Sequence, residues 1–437
     1  MLRLGSAALA GALAGCSLSN TNSGETTTPS GKQSDAPLSP DGAMAYTNDQ
    51  FETVINMVSD AGADPSGQTS ILPLLKEYAG DDTVLYFPSG RYLMDDLWAF
   101  PAFSNFGIVG EPATIVPPKG YNRYLFNIGS VEDASGTGFL FENIHFDFRA
   151  KATAPRPIQV AVTDGLVVRD VIVMGLSGTV RFDVTTETGA GVIERLRVPD
   201  GGKEPNPTGL LISPENRGEL TITDCHIAGF PGNGLYASGS VGPINVIGGS
   251  YFNNGIANVR VSSPAVVRGV HVRCDRAPEG FRNMRGIRLR DGDSVLVEDC
   301  TIEMIDVTYS EGAIVIEPLM KSAIIRNTDI LTTADNVLGI NAKTLETPDE
   351  TARILCENVK IFGSAQNDAA IRIVDRDNCV FENLSIVQSG ANRDGVQLLR
   401  SNNAIIHDAT ISVTRTPILV EESTGLNVKN VTTSPPR

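Results

Sequence analysis

The sequence predicts an all-β protein wound into a right-handed parallel β-helix of about 12 coils, with a short helical cap at its N-terminal side. Three observations support this fold. A short apolar pattern recurs from residue 139 onward, a tight corner divides each copy into two strands, and a third alternating strand lies between most copies. Three short strands in every coil are typical of solenoids, in which each repeat packs only against its neighbours.

Each copy of the repeat places apolar residues at positions −4, −2, +1 and +3 around a central residue, as in the segment 139–146 around Asn143. Alternation on both sides of the centre indicates two short strands, each with one face turned inward. Asn and Asp tolerate the left-handed backbone of a tight corner, and they occupy nine of the twelve centres. The predicted corners, 21 to 31 residues apart, are Asn143, Asp170, Arg195, Asp224, Gly248, Gly269, Asp299, Asn327, Asn358, Asn383, Asp408 and Asn430.

Residues ahead of the coils predict a cap. Segments 49–59 and 70–78 are amphipathic, and we interpret them as two short helices. Helices at this position would cover the open end of a β-helix, which otherwise exposes strand edges and apolar core. We therefore predict an N-terminal cap with the first strands over residues 46–130 and the parallel β-helix over residues 131–437.

Residues 1–16 have the layout of an export signal, with a positive flank at Arg3 and a short apolar run that ends at Cys16. The last four residues, Leu-Ala-Gly-Cys, resemble the lipobox of bacterial and archaeal lipoproteins, in which the Cys is lipidated. The alternative is an ordinary cleavable signal with a chance Cys. Residues 17–45 are rich in Ser, Thr, Gly and Pro, which is typical of a flexible tether. These segments predict an extracellular lipoprotein attached to the membrane through Cys16.

The charge balance excludes some classes of partner. The 437 residues carry a formal net charge of −16, from 35 Lys and Arg against 51 Asp and Glu. Nucleic-acid binding depends on neutralising phosphates with cations, so this chain is not expected to bind nucleic acid. An acidic surface also stays soluble in salt, which is consistent with a halophilic source.

The order Asp60-Ala-Gly-Ala-Asp-Pro-Ser-Gly67, Phe87-Pro-Ser-Gly-Arg-Tyr92 and Gly107-Ile-Val-Gly110 resembles the N-terminal part of the pectate-lyase superfamily. This resemblance covers about 60 residues in detail, and the coil pattern extends it over residues 46–437. It implies the β-helix fold. It does not imply one activity, because the superfamily holds lyases, hydrolases, epimerases, depolymerases and non-catalytic members. The motifs that polygalacturonase-like hydrolases carry are absent as a set from this sequence.

Cysteine and histidine point away from metal chemistry. Beyond Cys16, every Cys falls on an inward position of the repeat, which predicts buried free thiols and no metal site. Those residues are Cys225, Cys274, Cys300, Cys356 and Cys379. The four histidines fall on outward positions of the two strands beside the corner, away from the third strand. They are His145, His226, His271 and His407.

Outward residues of the third strand form two columns along the predicted helix axis. The first column reads Leu211, Tyr236, Arg260, Arg288, Val315, Gly339, Arg372, Gln397 and Leu419. The second reads Ser213, Ser238, Ser262, Arg290, Glu317, Asn341, Val374, Leu399 and Glu421. Polar side chains concentrate in the middle of both. Because stacked coils lie about 4.8 Å apart, we expect a single groove between Tyr236 and Lys343.

Seven arginines between residues 268 and 290 add positive charge near this groove. Arginine binds carboxylate or sulfate bidentately, so the predicted partner is an acidic polysaccharide. The alternative is that these arginines pair with acids close in sequence. Those acids are Asp275, Glu279, Asp291 and Asp293.

Two kinds of chemistry fit such a groove. A uronate lyase needs a cation that neutralises the sugar carboxylate and a base that takes the C5 proton. The candidate catalytic residues are Arg260, Arg288, Arg290 and Glu317. The candidate substrate-binding residues are Tyr236, Arg285, Asn341, Lys343 and Arg372. A glycoside hydrolase instead needs two carboxylates about 5–10 Å apart, and Glu317 with Asp291 or Asp293 is the nearest candidate pair.

Three functional hypotheses remain from the sequence. The first is an exported enzyme, a lyase before a hydrolase, that acts on an acidic polysaccharide. The second is a non-catalytic adhesin that binds the same glycan, and the third is a structural protein of the cell envelope. No resident metal is predicted, although Asp375, Asp377 and Asp394 form an acidic group that could bind Ca²⁺.

Overall fold

The computed structural model describes residues 50–132, 136–203 and 207–436, which form a parallel β-solenoid of about 13 turns. Every strand pairing among these residues is parallel, and each strand between the two ends of the solenoid pairs with its counterparts one coil earlier and one coil later. The predicted parallel β-helix is therefore confirmed. The predicted lipidation site Cys16, the export signal and the tether lie outside the described residues.

Three sheets run the length of the solenoid, and we number them in the order in which a coil visits them. Sheet 1 contains β1 (Thr53–Asn56), β2 (Thr83–Phe87), β9 (Leu166–Arg169), β12 (Ala190–Glu194), β15 (Glu219–Thr223), β18 (Ile244–Ile247), β21 (Ala265–Arg268), β28 (Ile354–Glu357) and β31 (Val380–Glu382). Sheet 2 contains β3 (Gly90–Leu93), β10 (Ile172–Met174), β13 (Arg197–Val198), β16 (His226–Ala228), β19 (Ser250–Phe252), β22 (His271–Asp275), β24 (Thr301–Asp306), β26 (Asp329–Thr332), β29 (Lys360–Gly363) and β32 (Ser385–Gln388).

Sheet 3 contains the residues of the two predicted columns. It contains β4 (Trp98–Phe100), β6 (Tyr124–Gly129), β8 (Arg156–Val162), β11 (Val180–Val184), β14 (Leu210–Leu211), β17 (Asn233–Tyr236), β20 (Ala257–Val261), β27 (Ile340–Ala342), β30 (Ala369–Val374), β33 (Asp394–Leu399) and β35 (Ile418–Glu421). Six longer strands bend from one sheet into the next. They are β5 (Phe103–Val116), β7 (Gly136–Asp147), β34 (Ile405–Val413) and β36 (Asn427–Ser434) between sheets 1 and 2, and β23 (Arg285–Glu298) and β25 (Ile314–Arg326) between sheets 3 and 1.

The corners between sheets 1 and 2 lie where the repeat predicts them. All twelve central residues have a positive φ, from 49° at Asn327 to 66° at Gly269. Asn and Asp reach this conformation at lower cost than other non-glycine residues, which explains their excess at the corners. Their side chains also stack: the Asn358 amide donates to the Asn327 side-chain oxygen at 3.1 Å, and Asn430 donates to Asp408 at 2.9 Å.

Inward side chains from all three sheets form one continuous hydrophobic core. Its N-terminal coils are filled by phenylalanines, as between Phe106 and Phe139, whose ring centroids lie 6.1 Å apart. Further along, small and branched residues replace the aromatics. The five described cysteines are buried and free, as predicted. Among the described residues, no helix has the length and apolarity that a membrane crossing requires.

The predicted two-helix cap is only half correct. Residues 72–78 form the helix α1 (Leu72–Tyr78), which buries Leu75. The predicted helix over 49–59 is wrong, because β1 lies within it and pairs with β2, with Val54 opposite Val84. Consecutive β-branched residues favour a strand, and this strand adds a ladder to the edge of sheet 1. Val54 packs against a small outer cluster formed by Phe51, Val84, Tyr86, Val109 and Leu140.

Candidate functional site

The register of sheet 3 corrects the predicted columns at one coil. Val315 pairs with Asn341, and Asn341 pairs with Arg372. Asn341 therefore belongs to the first column, where Gly339 was predicted, and Lys343 follows it two residues later beside Glu317. A slip of two residues leaves the inward and outward faces unchanged, so apolar alternation alone could not detect it.

Five cations and two carboxylates meet on the outer face of sheet 3, and we call this set the cationic patch. Arg288 Nε donates to Glu317 Oε1 at 2.6 Å, and Lys343 Nζ lies 3.1 Å from Glu317 Oε2. Lys343 Nζ also donates to Glu311 Oε1 at 2.8 Å, and Arg285 Nε donates to Glu311 Oε2 at 2.5 Å. The complete patch consists of Arg260, Arg285, Arg288, Arg290, Lys343, Glu311 and Glu317.

Two arginines of the patch have no carboxylate partner among the described residues. The Arg260 guanidinium lies 4.3 Å above the centre of the Tyr236 ring, and its buried Nε has no hydrogen-bond partner. Arg290 is half-buried on the same face, and no described side chain forms an ion pair with it. Subtracting two carboxylates from five cations leaves a formal surplus of three positive charges.

The charged residues of the patch shift one another's pKa values. Burial opposes ionisation of Glu317, but Arg288 and Lys343 outweigh it and hold the pKa of Glu317 below its usual range. The pKa of Glu311 is lowered in the same way by Lys343 and Arg285 against the effect of burial. The pKa of Arg260 is lowered by burial and by the positive charges of Arg288 and Arg290, although Tyr236 and Glu317 oppose this. These shifts follow from the short distances within the patch: Arg260 pairs with Arg288 across β20 and β23, and Arg288 in turn binds Glu317.

Two predicted binding residues have other contacts. Arg372 lies further along the first column, where it donates to Gln397 Oε1 at 2.9 Å and pairs with Asp368. It is therefore separate from the ion pairs of the patch. The Asn341 amide donates to the backbone oxygen of Glu311 at 3.0 Å. Asn341 is buried and supports the turn that carries Glu311, so it offers little surface to a ligand.

The two interpretations of the arginine-rich segment 268–290 are each correct for part of it. Arg273 pairs with Asp275, an acid close in sequence. Arg268 pairs with Glu298, 30 residues away, and the patch arginines Arg285 and Arg288 pair with acids on the following coil. Most partners thus come from neighbouring coils, which only the stacking register reveals.

The sequence analysis did not identify Arg376, an arginine buried behind the patch. Arg376 is 1% exposed and donates to backbone oxygens of two earlier coils. Its guanidinium contacts the carbonyls of Lys343 at 2.8 Å and Glu317 at 3.1 Å, and it also binds those of Met320 and Lys321 at 2.8 Å. These bonds hold in place the middle of β25, which carries Glu317, and the chain just after β27, which carries Lys343. In the sequence Arg376 stands between two aspartates, and no pattern there distinguishes it from a surface residue.

The predicted hydrolase pair and Ca²⁺ group have separate partners. Asp293 binds Lys321 at 2.7 Å, whereas Glu317 is held by Arg288 and Lys343. Asp375 binds Arg400, and Asp394 binds Arg415. Within the described ranges, no three His, Cys, Asp or Glu side chains are grouped so that they could hold a metal ion.

A second polar network on sheet 3 was not predicted. Arg181 Nε donates to Asp183 Oδ2 at 2.6 Å, and its Nη2 donates to Ser213 Oγ at 2.8 Å and Glu215 Oε2 at 3.0 Å. Burial raises the pKa of Asp183, whereas the Ser213 hydroxyl lowers that of Glu215. Asp183 is fully buried, so this network braces the sheet and does not present a carboxylate pair to a ligand. The polar residues two apart on β11 were its only sequence signal.

The four histidines lie on sheets 1 and 2, as predicted, and away from the patch. His226 Nδ1 is 2.6 Å from Ser250 Oγ, and His271 Nε2 is 2.7 Å from Glu303 Oε2. Both rings pack edge-on against Phe252, which lies between them. Burial lowers the pKa of His145 and of His226. None of these contacts reaches sheet 3.

Comparison with known proteins returns solved structures only. No family model matches the chain, and no curated protein does. The A-module of the Azotobacter vinelandii mannuronan C-5 epimerase AlgE6 is 15% identical, with a TM-score of 0.48, over 87% of this chain and 99% of that one. The Streptococcus pneumoniae surface adhesin PfbA is 14% identical, with a TM-score of 0.47, over 86% of this chain and 92% of that one. At these identities the likeness concerns the fold alone, and the resemblance to the pectate-lyase superfamily stays a prediction.

Proposed function

We propose that the cationic patch binds an acidic polysaccharide. One observation carries this proposal: a chain of net charge −16 concentrates a surplus of positive charge on one part of sheet 3 and leaves Arg260 and Arg290 without carboxylate partners among the described residues. Leaving a half-buried arginine unpaired costs free energy, and a ligand anion would relieve that cost. A structural spacer would have no need of such a site.

The arrangement of the patch favours a polymer with regularly spaced anions. Its cations come from three of four stacked coils, which stand about 4.8 Å apart: Arg260 on β20, then Arg285, Arg288 and Arg290 on β23, and Lys343 after β27. The coil between β23 and β27 contributes the two acids. Guanidinium groups form paired hydrogen bonds with planar carboxylates, and sulfate offers similar acceptor geometry. A uronate or sulfated polysaccharide can place one anion after another along this line.

Replacing the two unpaired arginines is expected to abolish most of the binding. We expect Arg260→Gln and Arg290→Gln each to weaken binding about tenfold, because each removes one charge-assisted contact. The measurement is calorimetric titration with polygalacturonate, alginate, hyaluronate and chondroitin sulfate, with dextran as the neutral polymer. Arg353→Gln is the matched control, since Arg353 is exposed at the start of β28 on sheet 1.

The outcomes separate the hypotheses. Loss of binding in both patch variants, but not in the control, supports a glycan-binding groove. Equal affinity in all three variants would contradict it. If the unmodified protein binds none of the four acidic polymers, the proposal fails and a structural envelope protein becomes the better description.

A lyase activity is the second candidate, and Arg260 is the residue that favours it. In such a reaction a base takes the C5 proton, a C4=C5 double bond forms, and the C4–O4 bond breaks, with O4 taking up a proton from water. Arg260 is half-buried, its Nε has no hydrogen-bond partner, and no described carboxylate holds it, so its guanidinium is left free to face the sugar. Burial and two neighbouring cations also lower its pKa. Arg290 would neutralise the sugar carboxylate. Ultraviolet absorbance of the unsaturated product, recorded during the titrations, distinguishes a lyase from a non-catalytic adhesin.

We also propose that the protein is exported and anchored at the cell surface through Cys16. The supporting feature is the run of small apolar residues that ends at this Cys, followed by the tether 17–45. In a bacterial host, we expect the full chain to incorporate labelled palmitate and to fractionate with membranes. Cys16→Ser should lose both properties, and label retained in that variant would show that lipid is attached elsewhere.

A further inference from the structure

A second cation-rich depression lies on the N-terminal coils, at the start of sheet 3. It has a volume of about 450 Å³ and is formed by the turns that precede β6, β8, β11 and β14. We call it the N-terminal basin. The side chains that the argument uses are Arg123, Tyr124, Arg156 and Lys203, and Gly178 forms part of the floor.

The basin repeats a pairing found in the cationic patch. The Arg156 guanidinium lies 4.6 Å from the centre of the Tyr124 ring, and the two residues are partners across β6 and β8. In the same way Arg260 lies above Tyr236, its partner across β17 and β20. Each pair places a cation on an aromatic face that holds it in position. Tyr124 is 40% exposed, so part of its ring is also available to a sugar.

The basin and the patch lie on one line along the solenoid. Gln159 and Arg288 occupy the same column of sheet 3, through the pairings with Arg181, Leu211, Tyr236 and Arg260. Arg156 stands three residues before Gln159, as Arg285 stands three residues before Arg288. Arg156 and Arg285 therefore hold equivalent positions five coil steps apart, or about 24 Å at 4.8 Å per step.

The basin is positively charged and open. Arg156 donates to Gln159 Oε1 at 3.1 Å, and no described carboxylate pairs with it. Arg123 pairs with Asp96 at the exposed rim, and Lys203 is exposed. Gly178 adjoins Arg156 in the next coil, where a Cβ atom would come within 3.1 Å of the Arg156 backbone nitrogen. Gly178 therefore lets the two coils pack closely at the floor of the basin.

We propose that the N-terminal basin is a second subsite for an acidic sugar, so that one polysaccharide chain lies along sheet 3 and occupies the basin and the patch together. This inference rests on the proposed function of the patch. Arg181 lies between the two sites and is close enough to Arg156 to act on its ionisation. Its own carboxylate partners neutralise it, so the strongest anion sites are the two ends of this line.

Dependence of affinity on ligand length tests the inference. Oligomers of galacturonate, or of whichever of the four acidic polymers binds the protein most tightly, are graded from the disaccharide to long fragments. They are titrated into the unmodified protein and into a variant with Arg156→Gln and Lys203→Gln. An oligomer that is long enough to reach both sites binds the second one intramolecularly. Affinity should therefore rise by roughly tenfold or more once the oligomer spans the distance between the basin and the patch. The variant should lose this rise and bind short oligomers as the unmodified protein does. Arg353→Gln, which removes the same kind of charge from sheet 1, should keep the rise.

Other outcomes identify which proposal fails. Long oligomers that bind equally well to the basin variant and the unmodified protein overturn the second subsite and leave the patch proposal standing. If no oligomer binds the unmodified protein, both proposals fail. Hydrogen exchange checks the location independently, because long oligomers should protect the backbone amides of residues 121–124, Ala154 and Arg156, whereas the disaccharide should not. Thermal melting confirms that the variant folds, and Arg123→Gln, at the exposed rim, repeats the test if it does not.

Discussion

Replacing the buried Arg376 by Ala should lower the free energy of unfolding by about 4 kcal/mol. The Arg376 side chain satisfies backbone oxygens of Glu317, Met320, Lys321 and Lys343, which lie on two earlier coils. Without it these carbonyl oxygens lose this donor, and each buried acceptor left unsatisfied costs about 1–3 kcal/mol, part of which rearrangement recovers. Urea denaturation followed by circular dichroism measures the loss.

Arg400→Ala is the matched control for this experiment. Arg400 lies on the following coil and is half exposed, where it pairs with Asp375. Exposed ion pairs contribute little, so its removal should leave the urea midpoint nearly unchanged. The stability loss of Arg376→Lys should lie between those of Arg376→Ala and Arg400→Ala. One ammonium group cannot form all the hydrogen bonds that the guanidinium makes to four backbone oxygens. Equal stability losses in Arg376→Ala and Arg400→Ala would show that the buried guanidinium does not hold the coils together.

Glu317→Gln is the second large effect, and it should act on stability and binding in opposite directions. Glu317 accepts from Arg288 and Lys343, and its side chain is only 5% exposed. Neutralising it leaves Arg288 with an uncompensated positive charge in a half-buried site, which should cost about 3 kcal/mol of unfolding free energy. The same change raises the formal surplus of the patch from three positive charges to four. Below the melting range, affinity for the acidic polysaccharides should therefore increase.

A double variant separates the charge from the side-chain packing. Arg288→Met combined with Glu317→Leu removes both charges and should be less destabilised than Glu317→Gln alone, since no unpaired ion remains. Glu303→Gln changes an acid on sheet 2, beside His271, and should leave polysaccharide affinity unaltered. If Glu317→Gln weakens binding, Glu317 contacts the ligand directly and does not merely neutralise Arg288.

Glu311 and Glu317, the two carboxylates of the cationic patch, predict how the stability of the protein responds to acid. The pKa values of Glu311 and Glu317 are lowered in the folded protein, so the folded state binds protons less readily than the unfolded chain does. Their contribution to stability is complete above the ordinary Glu value of 4.5 and is lost as the pH falls through the lower folded values. The free energy of unfolding of the unmodified protein should therefore fall as the pH is lowered below 4.5. The free energy of unfolding of Glu317→Gln, measured by urea denaturation over the same pH range, should fall less steeply.

The fold was accessible from the sequence because its signals are local and repeated. Each corner needs a residue that adopts a positive φ, and Asn or Asp supplies it at sites such as Asn143 and Asp299. In each strand, the alternation of apolar and polar residues indicates which side chains face inward. The error at residues 49–59 arose where no repeat was present, because an isolated amphipathic segment does not reveal the ladder that Val54 forms with Val84.

The candidate site was accessible only in part. The composition of the third strands indicated Arg260, Arg288, Arg290 and Glu317, and the structure places them together. Glu311 was missed because it precedes β25 in a turn, where no alternation marks the side that a residue faces. Arg376 was missed for a different reason: a buried arginine is recognised by its carbonyl partners, and these lie 33 to 59 residues away in the chain.

The sequence by itself determined the coil, its corners, its inward faces and the buried free thiols, because each of these follows from residues within a few positions of one another. The tertiary structure decided the register, that is, which residues of neighbouring coils pair with each other. That register moved Asn341 into the column of Arg260, paired Arg288 with Glu317, and aligned Arg156 with Arg285 five coils away. The physical reason is that a solenoid brings together residues some 21 to 31 positions apart, and the length of each turn sets which ones meet.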